Sequence, residues 1–303
     1  MPTVPSFAKI NLGLEVLGPR ADGYTEIRTI FQSIDLADAL EFEPADARAG
    51  EIAFTSDDPS LPADERNLVV AAATVLQVAT GSHHGARIHL RKTIPSGGGL
   101  GGGSSNAAVT LLALRRLWGL RLEDAALQTL AASLGADVPY FLYGGTMLGL
   151  GRGEEVYPLP DASEAEVVVA VPPFRVSTAE AYGRARGLLT PRAGARTIWR
   201  FSPDFASASR GYSFTINELE AAVGTGSGLV ARLRARLVDT GAVAACLSGS
   251  GSAVFGLFAQ AEQADRAAAA IRREFEDTAA LRCRTLDRAT YRERVLETIA
   301  RDF

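Results

Sequence analysis

Between Thr93 and Leu114 the chain reads TIPSGGGLGGGSSNAAVTLLAL, and six of the seven residues from Gly97 to Gly103 are glycine. Gly97, Gly98, Gly99, Gly101, Gly102 and Gly103, broken only by Leu100, offer backbone N–H groups that an anion can approach without side chains in the way. The apolar run that follows predicts a helix, whose first turn adds unpaired N–H groups and a positive dipole end. Ser104 and Ser105 are expected to add hydroxyl donors and to cap that helix. The chemistry on offer is phosphate binding. Gly97, Gly99 and Gly102 satisfy G-x-G-x-x-G, but so many glycines satisfy almost any spacing, and no acidic residue ends a second strand about twenty residues on. The G-K-[ST] of a P-loop is missing, as are V-A-I-K, H-R-D and D-F-G. Patterned segments on both sides argue against a flexible linker. The loop reads as a nucleotide-phosphate loop of another kind.

Other residues carry weaker signals. Of 31 Lys plus Arg only Lys9 and Lys92 are lysine. In PSFAKINLGLEV, alternation puts Ala8, Ile10, Leu12, Leu14 and Val16 on one strand face and Lys9, Asn11, Gly13 and Glu15 on the other. A lysine there is costly to bury without a partner. Lys92 lies just before the glycine loop. Asp137 opens DVPYF, with Pro139 placed for a first helical turn. By spacing alone Asp137 reads as an N-cap, and by chemistry as a carboxylate able to take a proton. Asn67 in ERNLVVAAA is placed to cap a helix. SGSGS, Ser248 to Ser252, reads as a hairpin turn. Tyr24, Phe31 and Phe174 are single aromatics, each a candidate for core or for stacking.

These residues need elements to hold them. Strand patterns cover Pro5–Val16, Glu26 to Pro44, Ala86–Ile94 and EVVVAVPPF. Helix patterns cover the run closed by Gly81, Ala107–Trp118, RLEDAALQTLAASLG, STAEAYGRARGLL, INELEAAVG, GLVARLRARLVDTG and AEQADRAAAAIRREF. AVAACLSGSGSAVFGLF predicts a hairpin and LRCRTLDRA a last strand, while residues 191–213 are weakly patterned. Strands and helices with hairpins among them predict an α+β fold. A shift to Pro, Asp, Ser and Glu around residues 158–166 marks a boundary between lobes 1–158 and 159–303.

The 303 residues are 47% hydrophobic and 22% charged with a net charge of -4, which gives no sign of a nucleic-acid or membrane-surface binder. No apolar run spans a bilayer, and no signal peptide is evident. Cys246 and Cys283 fit buried thiols in a reducing, cytoplasmic setting.

PSGGGLGGGSSNAA, Pro95 to Ala108, resembles the ATP-binding loop of the GHMP kinases, which phosphorylate small-molecule hydroxyls. AKINLGLEVLGPRADGY, LGADVPYFL and CLSGSGSAVFGLF resemble three further motifs of that family, in the same order. The resemblance implies a two-lobed architecture, an ATP-binding N-terminal lobe and a ferredoxin-like C-terminal lobe, with the active site between them. It implies ATP on Asn67, Lys92, Pro95 and Gly97 to Ser105, with Mg²⁺ whose ligands the sequence does not identify. It makes Asp137 the general base and Lys9 its partner. The branch most similar acts on an alcohol linked to a cytidine diphosphate. On that branch Asn11, Tyr24, Thr25, Phe31, Phe174, Ser248, Gly249, Ser250 and Gly251 fall at substrate positions, with Tyr24 and Phe174 as the pair stacking on cytosine. The pattern usually reads D-G-Y-H-E, whereas this chain has Asp22-Gly23-Tyr24-Thr25-Glu26. Threonine has one donor and a shorter reach than histidine. Reading by Thr25 through water, reading by another group, or weaker selectivity all stay open. A monomer or homodimer is expected, with no nucleic-acid partner.

Overall fold

The computed structural model describes residues 2–45, 50–162, 164–188, 216–223 and 228–303; the weakly patterned stretch 191–213 lies outside them. Strands β1 (Thr3–Pro19) and β2 (Thr25–Ala45) form a long antiparallel hairpin. β2 organises the first half of the chain. It pairs with β1, with β4 (Gly85–Arg91), with β5 (Thr146–Leu150) and, at Ser33 and Ile34, with β10 (Ala279–Leu286). β3 (Ile52–Ser56) runs parallel to β4, and β6 (Glu155–Pro158) closes a hairpin with β5. The sheet is therefore mixed.

The alternation of β1 does not run unbroken. Asn11 pairs with Phe31 and Gly13 with Ile30, which leaves Leu12 as a bulge. One extra residue inverts the facing of everything after it. Leu14, expected opposite Lys9, therefore joins the face of Lys9 and Asn11 and lines the cleft.

Helix α1 (Leu68–Thr80) begins at Asn67, whose side chain accepts from Val69 N, and ends at the left-handed Gly81. Helix α2 (Gly102–Leu117) starts earlier than its apolar pattern predicts, inside the glycine run, with Gly101 as N-cap. Ser104 and Ser105 are consequently within the first turns rather than at the cap. Ser105 is fully buried and its Oγ accepts from Ser6 Oγ at 2.7 Å. Every residue from Ser105 to Leu114 is buried. This is a core helix rather than one with a single apolar face, and each buried leucine contributes roughly 1.5–3 kcal/mol. Helix α3 (Asp124–Leu134) and a 3₁₀ turn, Pro139–Leu142, complete this half.

After β7 (Glu166–Val171) come α4 (Thr178–Leu188), α5 (Glu220–Val223), α6 (Leu229–Asp239), β8 (Ala244–Leu247), β9 (Val254–Phe258) and α7 (Ala261–Glu274). The strand order β10-β7-β9-β8, all antiparallel, is that of a ferredoxin-like sheet. The chain then returns through α8 (Arg288–Arg292) and α9 (Thr298–Asp302), joined by a π-helical turn. These place Tyr291, Val295 and Ile299 in the first core beside Phe7 and Leu40. No described helix is long and apolar enough to cross a membrane.

Candidate active site

A cleft of about 530 Å³ gathers Lys9, Asn11, Phe31, Asn67, Lys92, Asp137, the glycine loop and the turn Gly249, Ser250 and Gly251. Lys9 Nζ lies 3.3 Å from Asp137 Oδ2; the Lys9 side chain is 3% exposed and that of Asp137 33%. The lysine is thus buried in the wall while the carboxylate opens to the cleft. A chain of hydrogen bonds fixes the ammonium. It donates to Asn11 Oδ1 at 2.7 Å, Asn11 Nδ2 donates to Thr29 Oγ1 at 2.7 Å, and Thr29 Oγ1 donates to Gly13 O at 2.7 Å. The cap of the 3₁₀ turn after Asp137 is Val138, with no side-chain cap bond. The N-cap reading of Asp137 therefore fails, and its carboxylate is directed to Lys9.

The glycine loop is held from two sides. From behind, Asp38 is the anchor. Its Oδ1 accepts from Thr93 N and Ile94 N, both at 2.7 Å, and its Oδ2 from Asn106 Nδ2 at 3.1 Å. Lys92 Nζ lies 2.9 Å from Asp38 Oδ2 and donates to Ile94 O. Those bonds also explain why β4 stops at Arg91: the amides of Thr93 and Ile94 turn to a side chain instead of a strand. From the other lobe, Ser248 Oγ donates to Gly99 O at 3.0 Å and Ala253 N to Gly98 O at 3.1 Å. Gly99 has φ +77°, and a Cβ there would lie 2.1 Å from Ser248 O. Only glycine lets the two loops meet so closely. Gly98, Ser105 and Ser248 accordingly join loops and core and are not among the residues lining the cleft. Ser250, two residues on, does line it, and its Oγ lies 3.1 Å from Thr178 Oγ1 at the start of α4.

The acceptor side departs from expectation. Phe174 packs against the core beneath the ferredoxin-like sheet, and its carbonyl accepts from Ser252 Oγ at 2.6 Å. The ring that α4 brings to the cleft is Tyr182. Burial pushes the Tyr182 phenol up, and the charge of Asp137 adds to this, so the phenol stays protonated. STAEAY carries no signal beyond a helical pattern, so nothing in the sequence singles out Tyr182. Thr25 is 6% exposed, sits at the end of the hairpin opposite Pro19, and does not line the cleft. Tyr24 is 56% exposed, with the guanidinium of Arg152, a cleft residue, 4.7 Å from its ring centroid. Asp38, Tyr182 and Arg152 are the site residues that sequence reasoning missed.

Among the described residues no group of three His, Cys, Asp or Glu could hold a metal ion. The arrangement can hold an anion on backbone N–H groups and present a lysine-paired carboxylate beside it.

The sequence pattern described as GHMP kinases N terminal domain matches residues 67–145, and that described as GHMP kinases C terminal matches 205–277. The chain is 42% identical to a 4-diphosphocytidyl-2-C-methyl-D-erythritol kinase of Pelotomaculum thermopropionicum, over 89% of this chain and 93% of that protein. The chain belongs to the GHMP kinases, in the 4-diphosphocytidyl-2-C-methyl-D-erythritol kinase family. A second relative of this GHMP kinase, the same-named enzyme of Solibacter usitatus, is 44% identical over 84% of this chain and 80% of its own. A crystal structure of 4-(cytidine 5'-diphospho)-2C-methyl-D-erythritol kinase superimposes with a TM-score of 0.77 at 35% identity, over 93% of this kinase and 98% of that chain. A homoserine kinase from Cytophaga hutchinsonii, 21% identical over 95% of each chain with a TM-score of 0.70, shares the fold.

Proposed function

We propose that this kinase transfers the γ-phosphoryl group of ATP to the 2-hydroxyl of 4-diphosphocytidyl-2-C-methyl-D-erythritol, with Asp137 as general base. The observation that carries the mechanism is the buried Lys9 ammonium 3.3 Å from the cleft-facing carboxylate of Asp137, beside the glycine loop. The acceptor is the one that the relatives' name supplies. ATP lies with its phosphates along Gly97 to Ser104, on backbone N–H groups and the N-terminus of α2. The acceptor hydroxyl gives its proton to the Asp137 carboxylate as its oxygen bonds the γ-phosphorus. The bond from that phosphorus to the β–γ bridging oxygen breaks, and ADP leaves with the electron pair. Lys9 orients the carboxylate and offsets charge that develops on the transferred group. Mg²⁺ is expected with ATP. Of the described carboxylates, Asp137 lines the cleft and is engaged by Lys9, while Asp38 is enclosed behind the glycine loop with Lys92. Bound with the nucleotide, Mg²⁺ would offset the charge of its phosphates.

ADP release measured with the cytidyl acceptor and with a panel of small alcohols tests this reading. Turnover confined to another alcohol would overturn it.

A further inference from the structure

We propose that Arg152 is the specificity-determining residue that reads the cytosine edge of the acceptor, in the place where Thr25 cannot; this rests on the acceptor proposed above. Arg152 lies in the turn between β5 and β6. That turn is fastened to β2, because Ile27 N donates to Gly151 O at 2.7 Å. Its next residue, Gly153, comes against the catalytic wall. A Cβ there would stand 3.5 Å from the Phe31 ring and 3.8 Å from Asp137 Oδ1. The turn is thus a border of the acceptor half of the cleft, and Arg152 lines it.

The guanidinium is pre-set. Arg152 Nε donates to Glu154 Oε1 at 3.0 Å, and Arg152 N donates to Glu154 Oε2 at 2.6 Å. On its flank is the exposed ring of Tyr24, 4.7 Å from Cζ. Side-chain entropy that a free arginine would lose on binding is therefore already spent. Glu154 also balances the charge, so Arg152 offers donors without adding net positive charge. That combination favours a neutral edge with two neighbouring acceptors over a phosphate. Cytosine has such an edge in O2 and N3, whereas uracil interrupts it with an N–H donor at N3. An arginine fork matches paired acceptors as a lysine ammonium cannot. Thr25 is buried at the hairpin end and off the cleft wall.

The test compares the unsubstituted enzyme with Arg152→Met and Arg152→Lys on the cytidyl acceptor and on its uridyl counterpart. Methionine keeps an apolar cover on Tyr24 but removes every donor. We expect Arg152→Met to raise the acceptor KM at least tenfold and to erase most of the preference for cytidyl over uridyl. ATP KM and kcat at saturating acceptor should stay within about threefold, consistent with uniform binding lost from the acceptor alone. Arg152→Lys should not restore the preference. An acceptor KM and base preference unchanged in both variants would overturn the inference. An Arg152→Met enzyme that also loses ATP affinity would do so too if Arg152→Lys retained full base preference, because Arg152 would then be structural. If the unsubstituted enzyme turns over no cytidyl acceptor, the proposed function fails instead, so the two failures are distinct.

Discussion

The ammonium of Lys9 and the carboxylate of Asp137 meet at 3.3 Å although one lies on the first strand and the other ahead of a 3₁₀ turn. Lys9 is held by Asn11, which Thr29 fixes in turn, and is packed under the turn from the second lobe. A Cβ on Gly249 would stand 3.1 Å from its Nζ. The pair is thus fixed from three directions before any substrate arrives.

Lys9→Met should lower kcat by roughly 10²–10³-fold, the loss typical of one preorganised electrostatic group. Lys9→Arg should not rescue it, since a guanidinium needs more room than Gly249 and Gly101 leave; a Cβ on Gly101 would already stand 3.1 Å from Lys9 Cγ. Steady-state kcat of the two variants checks this.

Asp38 is fully enclosed, with Lys92, Asn106 and two backbone amides as partners. Asp38→Ala leaves the Lys92 ammonium buried without its carboxylate. The expected loss of stability is about 3–5 kcal/mol, together with weaker ATP binding as the loop loses its anchor. Denaturant unfolding and ATP titration measure the two effects.

Tyr182 and Phe174 should separate by phenotype. Tyr182→Ala should raise the acceptor KM and also lower the unfolding midpoint, because its ring lines the cleft and packs against Leu14 and Leu219. Phe174→Ala should lower the unfolding midpoint with acceptor KM nearly unchanged, because its ring packs on the core. Paired kinetics and thermal melts decide between them.

The thiols give a pH dependence. Burial pushes Cys246 up to about 12 and Cys283 further. The folded chain keeps protons that the unfolded chain releases above about 8.5. The stability from these groups is full below that pH and falls as pH rises toward the folded values, by up to about 1.4 kcal/mol per pH unit for each thiol. Native protein at pH 8 should resist a thiol-specific reagent, and denatured protein should react at both cysteines.

Much of this was legible in the sequence. Lys9 stood out as one of two lysines, the glycine run announced its own chemistry, and the hairpin of β8 and β9 followed from apolar runs around SGSGS. What was not legible depended on register or on tertiary contact. The bulge at Leu12 turns Leu14 to the cleft through pairing with β2, which no alternation within β1 reveals. Asp38 sits in a strand whose pattern gives no hint that its carboxylate will gather amides from Thr93 and Ile94. Ser248 and Ser250 look alike in SGSGS, yet the first ties the two loops together and the second faces the cleft. Tyr182 looked like one more helical residue. Phe174, next to a double proline, is the more conspicuous aromatic, yet its half-buried ring packs against the core and does not line the cleft.

The central claim is that Asp137 takes the proton of the acceptor hydroxyl, and Asp137→Asn tests it most directly. Turnover of ATP with the cytidyl acceptor should fall by roughly 10²–10⁴-fold, while ATP binding, measured by titration, stays near that of the unsubstituted enzyme. Near-normal turnover by Asp137→Asn would contradict the account.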